Sequence, residues 1–279
     1  MRTRDFGDPP VSLSMLGLGC SRVGSLGNRT PIEEIRRTLT RAADLGVTVF
    51  DTANIYGQGD SEREIGRVFA KRRDQVFVVT KLGKLFSTKM RLMRPLKPLL
   101  APLLARRPGA SSGIVARRGD NMREDFAPAR FMPELEASLR RLRFDHVDAL
   151  LLHSPPAEAL ARPGVAEALN ALVASGKARY FGISVDDYAC LEAAVRVPGL
   201  TLVQAPLDVL DAAARTGLAA EIAARRIGVF GREIIQARPD LAPPAAVAEA
   251  AKRPDITCVL AGASRVAHLE QLVAALPES

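Results

Sequence analysis

Hydrophobic positions along the chain fall into two alternating kinds of segment. Short, nearly continuous apolar runs occupy residues 16–19, 47–51, 76–81, 147–153, 178–184, 200–205, 227–230 and 256–261. Runs of that length with little polar alternation read as strands buried on both faces, as in a parallel sheet covered by helices. Between them, apolar positions recur at helical spacing over residues 31–45, 61–73, 133–143, 164–175, 187–195, 212–225, 245–253 and 266–276. The first helix is expected to open with Thr30 as N-cap and Pro31 as its first residue, and to stop at Gly46. Eight strand–helix units in 279 residues predict an α/β fold, a single (β/α)8 TIM barrel forming one domain over 1–279. The stretch before Leu16 is long enough for a small hairpin closing the barrel bottom.

One segment breaks the rhythm. About 50 residues separate Lys81 from the helix expected at Pro133, far more than a βα loop ordinarily has. It contains a basic, leucine-rich piece, KMRLMRPLKPLLAPLLARR, followed by a Gly/Ser stretch at 108–113. Residues 82–130 are therefore expected to form an elaborated basic loop over the barrel mouth, acting as a mobile substrate lid. An amphipathic helix on a membrane surface is the competing reading, but Pro95, Pro98 and Pro102 interrupt any helix there.

Composition narrows the class. The chain is 47% hydrophobic, enough for a sizeable core, and no apolar run approaches the length of a membrane span. Residues 1–10 carry charges and prolines, so no secretion signal is expected. Cys20, Cys190 and Cys258 lie far apart, which predicts reduced thiols in a cytoplasmic protein and neither a disulfide framework nor a metal site. The net charge of +8 invites a nucleic-acid reading, but aromatics are only 5% and no recognition module is present. The excess is local: residues 84–143 hold fourteen Lys and Arg against five Asp and Glu. That region is either a solvated basic face or a rim that attracts an anionic cofactor or substrate.

Polar residues gather where the apolar runs end. Asp51, Lys81, His153, Ser184 and Gln204 each lie at the C-terminal end of a predicted strand, the end at which barrel enzymes place their sites. Around the first of them the chain reads Phe50-Asp51-Thr52-Ala53-Asn54-Ile55-Tyr56-Gly57, followed by Ser61-Glu62 and Gly66. This resembles the FDTAxxYGxGxSExxxG signature of the aldo-keto reductases. Val79-Thr80-Lys81, Leu151-Leu152-His153 and Gly176 through Ser184 are similar to that family's next motifs, in the same order. The resemblance implies a monomer-sized barrel that binds NADPH or NADH across its rim and reduces small aldehydes or ketones. It also implies a catalytic tetrad of Asp51, Tyr56, Lys81 and His153. His153 sets the chain apart from relatives that carry a glutamate there and reduce activated C=C bonds.

The chemistry asks for the same residue types. Hydride addition to a carbonyl leaves charge on oxygen, which an acid must neutralise. A phenol is too weak an acid at neutral pH unless a neighbouring cation favours its anion. Lys81 would supply that cation, Asp51 would hold it, and His153 would hydrogen-bond the same oxygen or assist proton relay.

On the cofactor side, the resemblance places Ser184 and Gln204 on the nicotinamide carboxamide, although Val185 stands where an asparagine usually follows. Arg232 falls at the position of a tyrosine that stacks on the nicotinamide, and its planar guanidinium can stack instead, while Phe230 is expected in the core. Ser264 and Arg265 match a segment that binds a 2′-phosphate, favouring NADPH, although Leu272 replaces an expected asparagine. Gly17 through Gly24 loosely resembles a dinucleotide-binding glycine turn, but no helix opens directly after it. It reads as the first barrel loop, with the Gly19 and Cys20 backbone near the substrate. The departures at Val185, Arg232 and Leu272 leave two other functions open. One is a cofactor-binding regulatory barrel with little turnover; the other is a lyase or isomerase that redirects the tetrad.

Overall fold

A computed structural model describes residues 1–25, 28–86 and 122–277. Strands β1 (Thr3–Phe6) and β2 (Val11–Ser14) form an antiparallel hairpin, as expected before Leu16. Then come β3 (Leu16–Gly19), α1 (Ile32–Asp44), β4 (Val49–Asp51), α2 (Asp60–Val68) and β5 (Phe77–Leu82). The short strands β6 (Lys84–Phe86) and β7 (Met122–Glu124) pair antiparallel and precede α3 (Pro128–Leu142). The chain continues through β8 (Val147–His153), α4 (Ala157–Leu160), α5 (Val165–Ala174), β9 (Ala178–Ser184) and α6 (Tyr188–Val195). It ends with β10 (Leu202–Pro206), α7 (Leu207–Thr216), α8 (Leu218–Ala224), β11 (Gly228–Arg232), α9 (Ile234–Ala237), α10 (Pro243–Lys252), β12 (Cys258–Ala261) and α11 (Val266–Ala274). Eight parallel strands close into a barrel in the order β10-β11-β12-β3-β4-β5-β8-β9, the predicted (β/α)8 architecture. No helix among the described residues is long and apolar enough to cross a membrane.

Strand alternation divides the apolar residues into two cores. Inside the barrel, Val49, Val79, Leu151, Leu202 and Leu260 pack on Phe77, Tyr180 and Phe230. Phe6 of the hairpin plugs the bottom, edge-on to Tyr180 at a centroid distance of 4.7 Å. Phe230 is fully buried there, as its position in the pattern predicted. The larger core lies between strands and helices, where α1 presents Ile35, Thr38, Leu39 and Ala42 at helical spacing. Helices α2 and α3 cross so closely that a Cβ on Gly66 would sit 1.8 Å from the Leu142 carbonyl oxygen. All three cysteines are buried and unpaired.

Several boundaries differ from the sequence reading, the helix expected over 61–73 ending at Val68 among them, and three differences have a clear cause. Pro31 is the N-cap and α1 begins at Ile32, because Pro31 keeps an extended ψ of 144°. The helix expected from 133 starts at Pro128, with Pro133 inside it. Two prolines five residues apart both suit a first turn, and the outer one opens the helix. The helix expected over 212–225 is two helices, broken where Gly217 adopts φ +85°. The lid expected within 82–130 lies mostly outside the described residues; of that range 82–86 and 122–130 are described, and they hold the β6–β7 pair and the first turn of α3.

Candidate active site

A buried polar layer crosses the C-terminal mouth of the barrel, above the apolar interior. Lys81 at the end of β5 donates to Asp51 Oδ1 of β4 at 2.5 Å and to the Thr52 carbonyl at 3.1 Å. From the far side, Gln204 Nε2 donates to the same Asp51 oxygen at 2.9 Å. Ser184, the register partner of Gln204 on β9, donates to Gln204 Oε1 at 3.1 Å. His153 is the register partner of Ser184 on β8. The side chains of Asp51, Lys81, Ser184 and Gln204 are all buried.

Tyr56 comes from the loop after β4 and closes the group. Its ring is edge-on to His153, with centroids 5.8 Å apart, and Lys81 Nζ lies 5.2 Å from the ring centroid. The loop is held from several sides. Asn54 Nδ2 donates to the Lys84 carbonyl at 3.0 Å, and Thr52 Oγ1 shares a 2.7 Å hydrogen bond with Ser61. Ser61 in turn donates to the Cys20 carbonyl at 3.0 Å. Glu62, fully buried, accepts from Thr80 at 2.8 Å and pairs with Arg141 of α3. Ser61 and Glu62 thus fasten α2 beneath the loop that carries Tyr56.

The electrostatics follow from this burial. Burial pushes the Tyr56 phenol above its ordinary value; Lys81 pulls it down, and Asp51 adds to the rise. The expectation that Lys81 favours the phenolate holds as a direction, yet desolvation outweighs it and the phenol stays protonated at neutral pH. Burial alone would lower Lys81, but Asp51 and Tyr56 overcome it and hold the ammonium above its ordinary value. Burial, reinforced by Lys81, Lys84 and Arg232, holds His153 well below the usual imidazole range, so the ring is neutral. Its Nδ1 is buried without a hydrogen-bond partner. Above the layer lies a cavity of about 570 Å³, whose lining includes Gly19, Asp51, Tyr56, Lys84, His153 and Arg232.

Among known proteins, the sequence pattern of the Aldo/keto reductase family matches residues 15–239. The chain belongs to that family. It is 30% identical to the D-threo-aldose 1-dehydrogenase of Pseudomonas sp over 223 residues, which cover 78% of this chain and 61% of that protein. Against the pyridoxal 4-dehydrogenase of Microbacterium luteolum it is 28% identical, covering 69% of this chain and 58% of the relative. The chain therefore spans less than two thirds of the length of these curated relatives. In solved structures the same fold occurs in aldo-keto reductase AKR11C1 from Bacillus halodurans in its holo form. That match has a TM-score of 0.77 at 20% identity and covers 100% of this chain and 92% of the other.

Within this aldo/keto reductase, the other residues singled out from sequence divide by where they fall. Ser184 and Gln204 reach the tetrad, through Asp51, more directly than a role as cofactor ligands alone would imply. Gly19 lines the cavity, whereas the Cys20 amide is committed to the Asp51 carbonyl at 2.8 Å, so it is not free to meet a substrate. Arg232 lies at the mouth but is already held: it pairs with Asp186 and Glu233 and donates to the Val185 carbonyl at 2.7 Å. Ser264 accepts from Asn28 at 3.2 Å and Arg265 is exposed, both just beyond β12. Val185 and Leu272, at positions where the family pattern has asparagine, are buried in the apolar core. Sequence reasoning missed Lys84, Asp186 and Glu233, charged residues at the mouth. It also missed the pairing of Glu62 with Arg141, for which only the Ser61-Glu62 motif gave a signal.

Proposed function

We propose that this chain reduces an aldehyde or ketone to an alcohol, using a reduced nicotinamide nucleotide and a proton from Tyr56. The observation that carries the reading is the buried Lys81 ammonium, tied to Asp51 at 2.5 Å and set beside a protonated Tyr56, with His153 facing the same cavity. The residues of the mouth suit a nicotinamide. Gln204 and Ser184 keep unused donor and acceptor capacity for a carboxamide, and Arg232 offers a planar face. Gly19 leaves the wall bare of side chains. Ser264 and Arg265, just beyond β12, are the residues proposed to hold a 2′-phosphate, which would favour NADPH over NADH.

When bound, the reduced nicotinamide supplies hydride to the carbonyl carbon. Tyr56 delivers its proton to the carbonyl oxygen, and Lys81 stabilises the phenolate left behind. Asp51 and the Thr52 carbonyl keep the ammonium fixed at that point. His153, neutral, donates to the same oxygen and orients the substrate. A positioned acid of this kind is worth about 10²–10⁴-fold in rate. Every group comes from one barrel, so the proposed working unit is a one-domain monomer acting on a small carbonyl compound. The buried free thiols fit a reducing, cytoplasmic setting.

The test is oxidation of NADPH by the purified chain across a panel of carbonyl compounds, for wild type and Tyr56→Phe. Turnover that falls by about 10²-fold or more in the variant supports the proposal. Tight nucleotide binding with no turnover on any carbonyl would instead favour a regulatory barrel. Absence of binding to either nucleotide would leave only redirected tetrad chemistry.

A further inference from the structure

We propose that Lys84 selects carbonyl substrates that carry a carboxylate, serving as the counter-charge for that group inside the cavity. The inference rests on the reductase reading of the same site and adds the substrate class to it.

The argument starts from the charges at the mouth. Asp51 is matched by Lys81, and Arg232 is matched by Asp186 and Glu233. Lys84 is different. Its side chain is only 16% exposed and lines the cavity beside His153, yet its partner Glu124 sits 3.7 Å away and is 51% exposed. So long and wet a pair contributes little, while a cation drawn partly out of water gains from a close anion. Arg22, exposed and also lining the cavity, adds a second positive charge. The positive field of Lys84 also reaches His153, where it helps keep the imidazole neutral. An anionic substituent held by Lys84 would leave the carbonyl free to meet Tyr56 and His153 in the same cavity.

Backbone geometry aims Lys84 inward. Gly83 turns the chain at φ +95°, with its amide donating to buried Glu134 at 3.1 Å, and the Lys84 carbonyl is held by Asn54. Lys84 is the register partner of Glu124 in the β6–β7 pair, so a purely structural cross-strand role is the alternative to exclude.

The two roles separate in one experiment. Reduction of para-formylbenzoate and of its neutral amide analogue, para-formylbenzamide, is compared in wild type, Lys84→Gln, Lys84→Arg and Glu124→Gln. The proposal expects wild type to prefer the acid. The ratio of kcat/KM values should fall by about tenfold or more in Lys84→Gln, as for a lost charged hydrogen bond. Lys84→Arg should retain the preference, and Glu124→Gln should keep or strengthen it. A wild-type ratio near one overturns the proposal, as does a parallel loss in Lys84→Gln and Glu124→Gln. If neither aldehyde is turned over, the reductase reading fails separately. Calorimetric binding of para-formylbenzoate to wild type and Lys84→Gln then decides the anion site: equal or absent binding refutes it.

Discussion

Replacing Lys81 with methionine should lower the rate of the chemical step by roughly 200-fold and move its alkaline limb to higher pH. The magnitude comes from the placement of the ammonium 5.2 Å from the Tyr56 ring centroid. At an effective dielectric of about 20, a unit charge at that distance favours the phenolate by about 3 kcal/mol, and each 1.4 kcal/mol is close to tenfold in rate. The proposed reaction needs the phenol protonated, so activity should be full below the pKa of Tyr56 and fall as pH rises through it. Removing the opposing cation lifts that pKa further, since burial is then resisted less. Single-turnover reduction at saturating NADPH, followed across pH, is the assay, because product release then cannot mask the step. A plateau within about threefold of wild type, or an unmoved alkaline limb, would refute the assignment of Lys81.

The same substitution destabilises the fold, and that effect has to be separated. Lys81 is 1% exposed and Asp51 5% exposed. Removing one partner of such a pair costs about 3–5 kcal/mol, because the remaining charge is stranded. Asp51 would be left with only the Gln204 amide. A second variant, Asp51→Asn with Lys81→Met, removes both charges while keeping an acceptor for Gln204. It should regain much of the lost stability and none of the lost rate. Recovery of rate together with stability would make the pair structural.

Three further outcomes follow from the geometry. His153 has a depressed pKa in the fold, so stability is full above the ordinary imidazole value of about 6.5 and declines as pH falls below it; thermal melts of His153→Asn should show a shallower decline, and an identical slope would mean that the ring is not held neutral. Gly66→Ala forces a methyl 1.8 Å from the Leu142 carbonyl oxygen, which should cost about 3 kcal/mol or more in urea unfolding; a loss below 1 kcal/mol would show that α2 and α3 can move apart. Gln204→Leu should weaken NADPH binding about tenfold through the lost amide, and an unchanged Kd by fluorescence titration removes Gln204 from the cofactor site.

The barrel and the tetrad were legible for one physical reason. A strand buried on both faces must be apolar until it reaches the mouth, so the first polar residue after each run marks the rim. Asp51, His153, Ser184 and Gln204 obey that rule; Lys81 comes one residue after Thr80, whose hydroxyl turns to Glu62 of α2, and the Tyr56 loop is carried by a motif. Other features have no local signature. Gln204 meets Asp51 across the mouth, a contact between residues 153 positions apart, and periodicity reports neighbours along an element only. Gly217 turns a corner unseen because α7 and α8 both face the same core, so the apolar spacing continues through the break. Arg232 reads as a free guanidinium until Asp186, 46 positions away, is seen to hold its edge. Lys84 is the sharpest case: by pattern it is one more lysine in a basic stretch. It lines the cavity just after the turn at Gly83, which no pattern of spacing marks. On the proposed reading, substrate preference would rest on a residue whose significance is set by loop geometry, while the reaction chemistry would rest on strand ends and the motif loop of Tyr56. The first kind has to be found in three dimensions, and the proposed role of Lys84 is the example in this chain.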